Sequence, residues 1–130
     1  MTFSLYGGLA NQKVVDLLLN GSAEEILTNE ADEKLYAVEI DNTKNAEDIW
    51  AKIWVQATAA SVGTDHPLHV IYCEAGEVRV KIFGGDQDVS LGHVMHATST
   101  HEVFIGAVTT GGTGGTTSPP NPVKATVWTS

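Results

Sequence analysis

Apolar and polar residues alternate with a period of two along much of this chain, most clearly from Leu35 onward. In "KLYAVEIDN", Tyr36, Val38 and Ile40 fall on one face and Ala37, Glu39 and Asp41 on the other, the pattern of a half-buried strand. "DIWAKIWVQAT" repeats it, with Ile49, Ala51, Ile53 and Val55 set against Trp50, Lys52, Trp54 and Gln56. Its β-branched and aromatic content favours strand over helix. "LHVIYCEAGEVRVKIFGGDQD" predicts two strands joined by a tight turn at Ala75-Gly76-Glu77, the second carrying Val78, Val80 and Ile82 opposite Arg79 and Lys81. "VSLGHVMHATSTHEVFIGAVTT" adds one or two strands, and "VKATVWTS" closes the chain with another. The first third is less regular. "KVVDLLLNGS" predicts a strand entering a hairpin-like turn at Asn20-Gly21. In "AEEILTNEADEK", a helix capped by Ser22 and Glu25 competes on equal terms with a short strand over Glu25 to Thr28.

Short strands separated by turn signals predict an all-β fold: an antiparallel β-sandwich, jelly-roll or Ig-like, of about seven to eight strands. A chain of 130 residues fits one domain. We place that domain over 13–130, behind an extended N-terminal arm over 1–12. Phe3, Leu5, Tyr6 and Leu9 are apolar anchors in the arm, which can add a strand to a neighbour's sheet. The arm lacks a positive stretch followed by a sustained apolar core, so no cleaved secretion signal is expected. No apolar run approaches the roughly 18 residues of a membrane span.

Charge narrows the partners. Sixteen acidic and seven basic residues give a formal net charge of −9, which argues against sequence-independent nucleic-acid binding. Glu24, Glu25, Glu30, Asp32, Glu33, Glu39, Asp41, Glu47 and Asp48 crowd one stretch, either as a solvated surface or as a face meeting a basic partner. The single cysteine, Cys73, lies in an apolar alternation and predicts a buried, inert thiol.

Candidate chemistry is thin. His66 and His69, and His93 and His96, are each three apart, which puts each pair on opposite faces of a strand. With His101 they suit strand ends or subunit contacts, where they can sense pH, better than a metal clamp. Asp86 and Asp88 with Asp65 or Asp41 lack the spacing of a calcium loop. Ser99, His101 and Glu102 lie too close together for a catalytic triad. The run "GGTGGTTSPP" lacks the lysine and following helix of a phosphate loop. We therefore expect no enzyme, no cofactor and no metal. Surfaces remain: Trp50 and Trp54 form either a partly exposed docking patch or one covered face of a central strand. In the glycine run, Gly111, Gly112, Gly114 and Gly115 permit positive φ, and Pro119, Pro120 and Pro122 stiffen the return. That predicts a long loop at one end of the sandwich, with Thr113, Pro119 and Pro120 as interface candidates.

The order of these motifs resembles a small-β-domain family among the virion structural proteins of tailed bacteriophages. Its features are a strand ending in an Asp-Asn-Thr turn (Asp41, Asn42, Thr43), then a strand with a lysine-aromatic pair (Lys52, Trp54). A Gly-Thr-x-x-Pro loop follows (Gly63, Thr64, Pro67), then an Ala-Gly turn (Ala75, Gly76) and a Gly/Thr run to Pro119 before the final strand. The resemblance spans roughly residues 35 to 128; "TDHPLHVIYCEAG" and the histidine-rich "GHVMHATSTHEV" depart from it. It implies a non-enzymatic capsid decoration, or cement, protein made in the host cytoplasm and bound to the outer capsid surface. Its implied partners are the major capsid protein and itself, as a homotrimer, with no nucleic acid and no membrane. The alternative is a tail-fibre or host-receptor module, in which Trp50 and Trp54, or Trp128, stack on sugar rings.

Overall fold

The computed structural model describes residues 13–27, 34–83, 95–96 and 102–129. The described residues form β1 (Lys13–Leu19), β2 (Glu24–Leu27), β3 (Lys34–Asp41), β4 (Ile49–Gln56), β5 (His69–Cys73), β6 (Val78–Ile82), the two-residue β7 (Met95–His96), β8 (Glu102–Val108) and β9 (Val123–Thr129). All pairings are antiparallel. One sheet, A, has the order β1-β9-β3-β6, with β7 also paired to β3; the other, B, has the order β2-β8-β4-β5. The mutual pairs β1 with β9, β2 with β8, β3 with β6 and β4 with β5 are those of a hairpin of four strand pairs rolled into a sandwich. This is the jelly-roll member of the two expected topologies. The short strand wins over the capped helix, as β2.

Two turns read as hairpins do something else. The Asn20-Gly21 turn and the Ala75-Gly76-Glu77 turn each carry the chain from one sheet to the other, so β1 does not pair β2 and β5 does not pair β6. Turn chemistry is a local signal, whereas strand partners are set by the sandwich. Gly76 supplies the positive φ of 76° that its tight crossing requires.

The core lies between the sheets. Val38 and Ile40 of β3, Ile49, Ala51 and Ile53 of β4, Ile71 and Cys73 of β5, and Val123, Ala125 and Val127 of β9 interdigitate there. Along β3 the alternation breaks once: Leu35 and Ala37 pair the consecutive residues Thr129 and Trp128, so Tyr36 is an extra residue in a bulge. Leu35 rather than Tyr36 therefore joins the core.

At one end of the sandwich an amide network ties three connections together. The buried Asn42 side chain donates to the carbonyls of Glu47 (2.9 Å), Cys73 (3.2 Å) and Glu74 (3.2 Å), and its Oδ1 accepts from Asn45 Nδ2 at 2.9 Å. Asn45 in turn donates to the Asn121 carbonyl at 3.0 Å and accepts from the Asn121 N–H at 2.9 Å. The Asp-Asn-Thr turn is thus the fastener of that end.

Candidate docking faces

The outer face of sheet B is built by the period of β4. With Ile49, Ala51 and Ile53 in the core, Trp50, Lys52, Trp54 and Gln56 must point outward. Register sets them between Val108, Gly106 and Phe104 of β8 on one side and Tyr72 and Val70 of β5 on the other.

The glycine-rich loop lies across this face rather than at the end of the sandwich. Lys52 Nζ donates to the Gly112 carbonyl at 2.6 Å, and Trp54 Nε1 donates to the Asp65 carbonyl at 3.0 Å. Thr113 Oγ1 meets His66 Nδ1 at 3.3 Å, joining the loop to the β4–β5 connection. None of the loop glycines has positive φ. Gly111 instead permits close approach, since a Cβ there would stand 2.7 Å from Trp50 Nε1. Lys52 is only 1% exposed, and burial pushes its ammonium pKa below the ordinary value of 10.5.

Two carboxylates brace the margins. Asp65 Oδ2 accepts from the Ser61 N–H (2.8 Å) and from Gln56 Nε2 (2.9 Å), and these bonds hold its pKa below the ordinary 3.8. Asp48 accepts from the Ala75 N–H (3.0 Å) and the Tyr72 hydroxyl (2.8 Å), which lowers its pKa likewise and raises that of Tyr72. That bond holds the Tyr72 ring beside Trp50, centroids 5.0 Å apart and tilted by 44°.

The residues singled out from sequence fare unequally. Trp54 is 1% exposed and Trp128 4%, so neither presents a ring to a partner, and Pro119 is buried as well. Central placement of β4 between β8 and β5, with the loop above, covers Trp54. Trp50 and Thr113 are half-buried on the outer face of sheet B, while Pro120 is exposed where the loop returns. Phe3, Leu5, Tyr6 and Leu9 lie outside the described residues, as do His93, His101, Asp86 and Asp88. Among the described residues the acidic stretch does not make one face: Glu24 and Glu25 sit on β2, Glu39 and Asp41 on β3, and Glu47 and Asp48 in the following turn, while Glu30, Asp32 and Glu33 lie outside the described residues.

The exposed apolar residues were not anticipated. Leu68, Val70 and Tyr72 are exposed along β5, Val78, Val80 and Ile82 along β6, and Val14, Val15 and Leu18 along β1. Every large exposed apolar side chain among the described residues therefore lies on or beside an edge strand, and none lies in the other connections. On β6 the register puts Val78, Val80 and Ile82 beside Asp41, Glu39 and Ala37 on the outer face, and Arg79 and Lys81 beside the core residues Ile40 and Val38. The alternation of "VRVKI" announced two faces; it could not say which one turns outward at a sheet edge.

Cys73 is buried, which raises its thiol pKa. Among the described residues no three His, Cys, Asp or Glu side chains converge to hold a metal ion, and no helix is long and apolar enough to cross a membrane. Comparison with protein-family models, curated proteins and solved structures finds no match to the chain.

Proposed function

We propose that this chain is a virion structural protein of the capsid-decoration kind, which binds the major capsid protein through the outer face of sheet B. The observation that carries the reading is the apolar strip Leu68, Val70 and Tyr72, continued by the half-buried Trp50 and bordered by the glycine loop. A jelly roll offers its partner a rigid sheet face, and Tyr and Trp are the side chains that most often anchor such contacts. The motif resemblance to phage virion proteins supplies the identity of the partner; the fold alone is shared by many functions. A stable contact of about 1,600 Å² in total needs a rim as well as a centre, and the loop around Thr113 supplies it.

Cosedimentation with capsids prepared without this chain tests the reading. Wild-type protein is expected to pellet with the capsids, and Val70→Asp/Tyr72→Asp, altered only at exposed positions, to lose at least about tenfold in affinity. Undiminished binding by the folded double variant, or no binding by the wild type, would contradict it.

A further inference from the structure

Asn20-Gly21 turns the chain from β1 toward β2, and the peptide joining the two residues is bonded at both ends. The Asn20 carbonyl accepts from the Ala107 N–H at 2.8 Å, and the Gly21 N–H donates to Ser118 Oγ at 2.9 Å. A third bond, from the Ser22 N–H to Asn20 Oδ1 at 2.8 Å, holds the side-chain amide. Only glycine fits at position 21, where a Cβ would stand 2.7 Å from Ser118 Oγ and 2.8 Å from the Thr116 carbonyl oxygen. The return of the glycine loop therefore rests directly on this turn. It is closed at its base by a bond from the Thr109 N–H to the Thr117 carbonyl at 3.0 Å. Asn20 and Ser118 are both exposed, so water reaches the pair.

An asparagine followed by glycine carries its own nucleophile, because no Cβ on the glycine obstructs its amide from reaching the neighbouring carboxamide. Gly21 N attacks Asn20 Cγ: the N–Cγ bond forms, the Cγ–Nδ2 bond breaks, and ammonia leaves with the Gly21 proton. Water then opens the cyclic imide at either carbonyl, giving aspartate or isoaspartate. The attack consumes the N–H that Ser118 accepts. Bringing the two atoms to bonding distance also means turning a peptide and a carboxamide that three hydrogen bonds hold. We propose that Asn20 is a site of spontaneous deamidation held in check by the loop return, reacting only when 116–118 has lifted from the turn. The product acts on the loop in its turn. Isoaspartate lengthens the backbone by one carbon at a place where even a Cβ would collide with Thr116 and Ser118, so the loop cannot seat again. The change is irreversible and releases the loop that borders the outer face of sheet B. The inference concerns the chain's own chemistry and stands apart from the capsid reading.

Peptide mapping by mass spectrometry of the full chain, held in mildly alkaline buffer and sampled over days, provides the test. In the folded wild type, Asn20 is expected to convert at least about tenfold more slowly than in the same chain unfolded in guanidinium chloride. Ser118→Ala, which removes an exposed acceptor, should hasten conversion in the folded chain roughly three- to tenfold, the gain in open population from losing one hydrogen bond. Chains carrying isoaspartate should then be cut faster within 109–118 by limited proteolysis than unconverted chains. Circular dichroism checks that the variant is folded, and the wild-type comparison stands without it. Equal rates in folded and unfolded wild type, an unchanged rate in folded Ser118→Ala, or loop cleavage indifferent to isoaspartate would overturn the inference.

Discussion

Asn42 illustrates how much a single buried amide can decide. Its NH2 group faces three carbonyls that belong to two different connections, and no hydrocarbon or carboxylate can satisfy them. Asn42→Ala should cost about 2–4 kcal/mol in urea denaturation, because the stranded polar groups lose their partners in a dry site. Asn42→Asp should cost more than the alanine change, since it aims an acceptor at acceptors. Two half-buried carboxylates act through pH. Asp48 and Asp65 have folded-state pKa values below 3.8, so their contribution is complete above that value and disappears as pH falls through the lowered one. Urea midpoints should therefore fall on acidification below about pH 4, and less steeply in Asp48→Asn/Asp65→Asn than in the wild type. Lys52 contributes a penalty rather than a gain: burial depresses its pKa, so the charged form is disfavoured in the fold and the penalty eases as pH rises toward 10.5, which makes stability rise with pH here too.

The strands themselves were readable, because each needs only a period of two to bury one face. Residues Ile49, Ala51 and Ile53 lie where the alternation puts them, and Cys73 joins them in the core. Pairing was not readable. Asn20-Gly21 and Ala75-Gly76 announce reversals, yet which sheet receives the next strand depends on residues far away in sequence, as in the Thr126 to Asp16 hydrogen bond, whose partners are 110 positions apart. The glycine loop was misplaced for a related reason. Its destination is fixed by Lys52 and Trp50 on another strand, and glycine composition reports only that the backbone can come close. Gly111→Val makes this testable. The added side chain should displace the loop from Trp50, raise Trp50 solvent exposure and hasten proteolysis within 109–117, read by tryptophan fluorescence and mass spectrometry. Unchanged fluorescence and cleavage would show that the loop is not held there.

For the molecule as a whole, the jelly roll separates two kinds of surface. Sheet B presents an aromatic-edged strip beside a loop fastened by Lys52, and the edge strands β1 and β6 present exposed apolar side chains. Neither depends on a group of catalytic side chains. The decoration reading requires the chain to be abundant on the shell, whereas a receptor-binding module is present in few copies at the tail. Quantitative mass spectrometry of purified virions, combined with reconstruction of the particle, measures both number and place. The account predicts hundreds of copies per particle on the outer shell, with Val70 and Tyr72 turned toward the capsid. A few to tens of copies confined to the tail, or no copies in the particle, would contradict it.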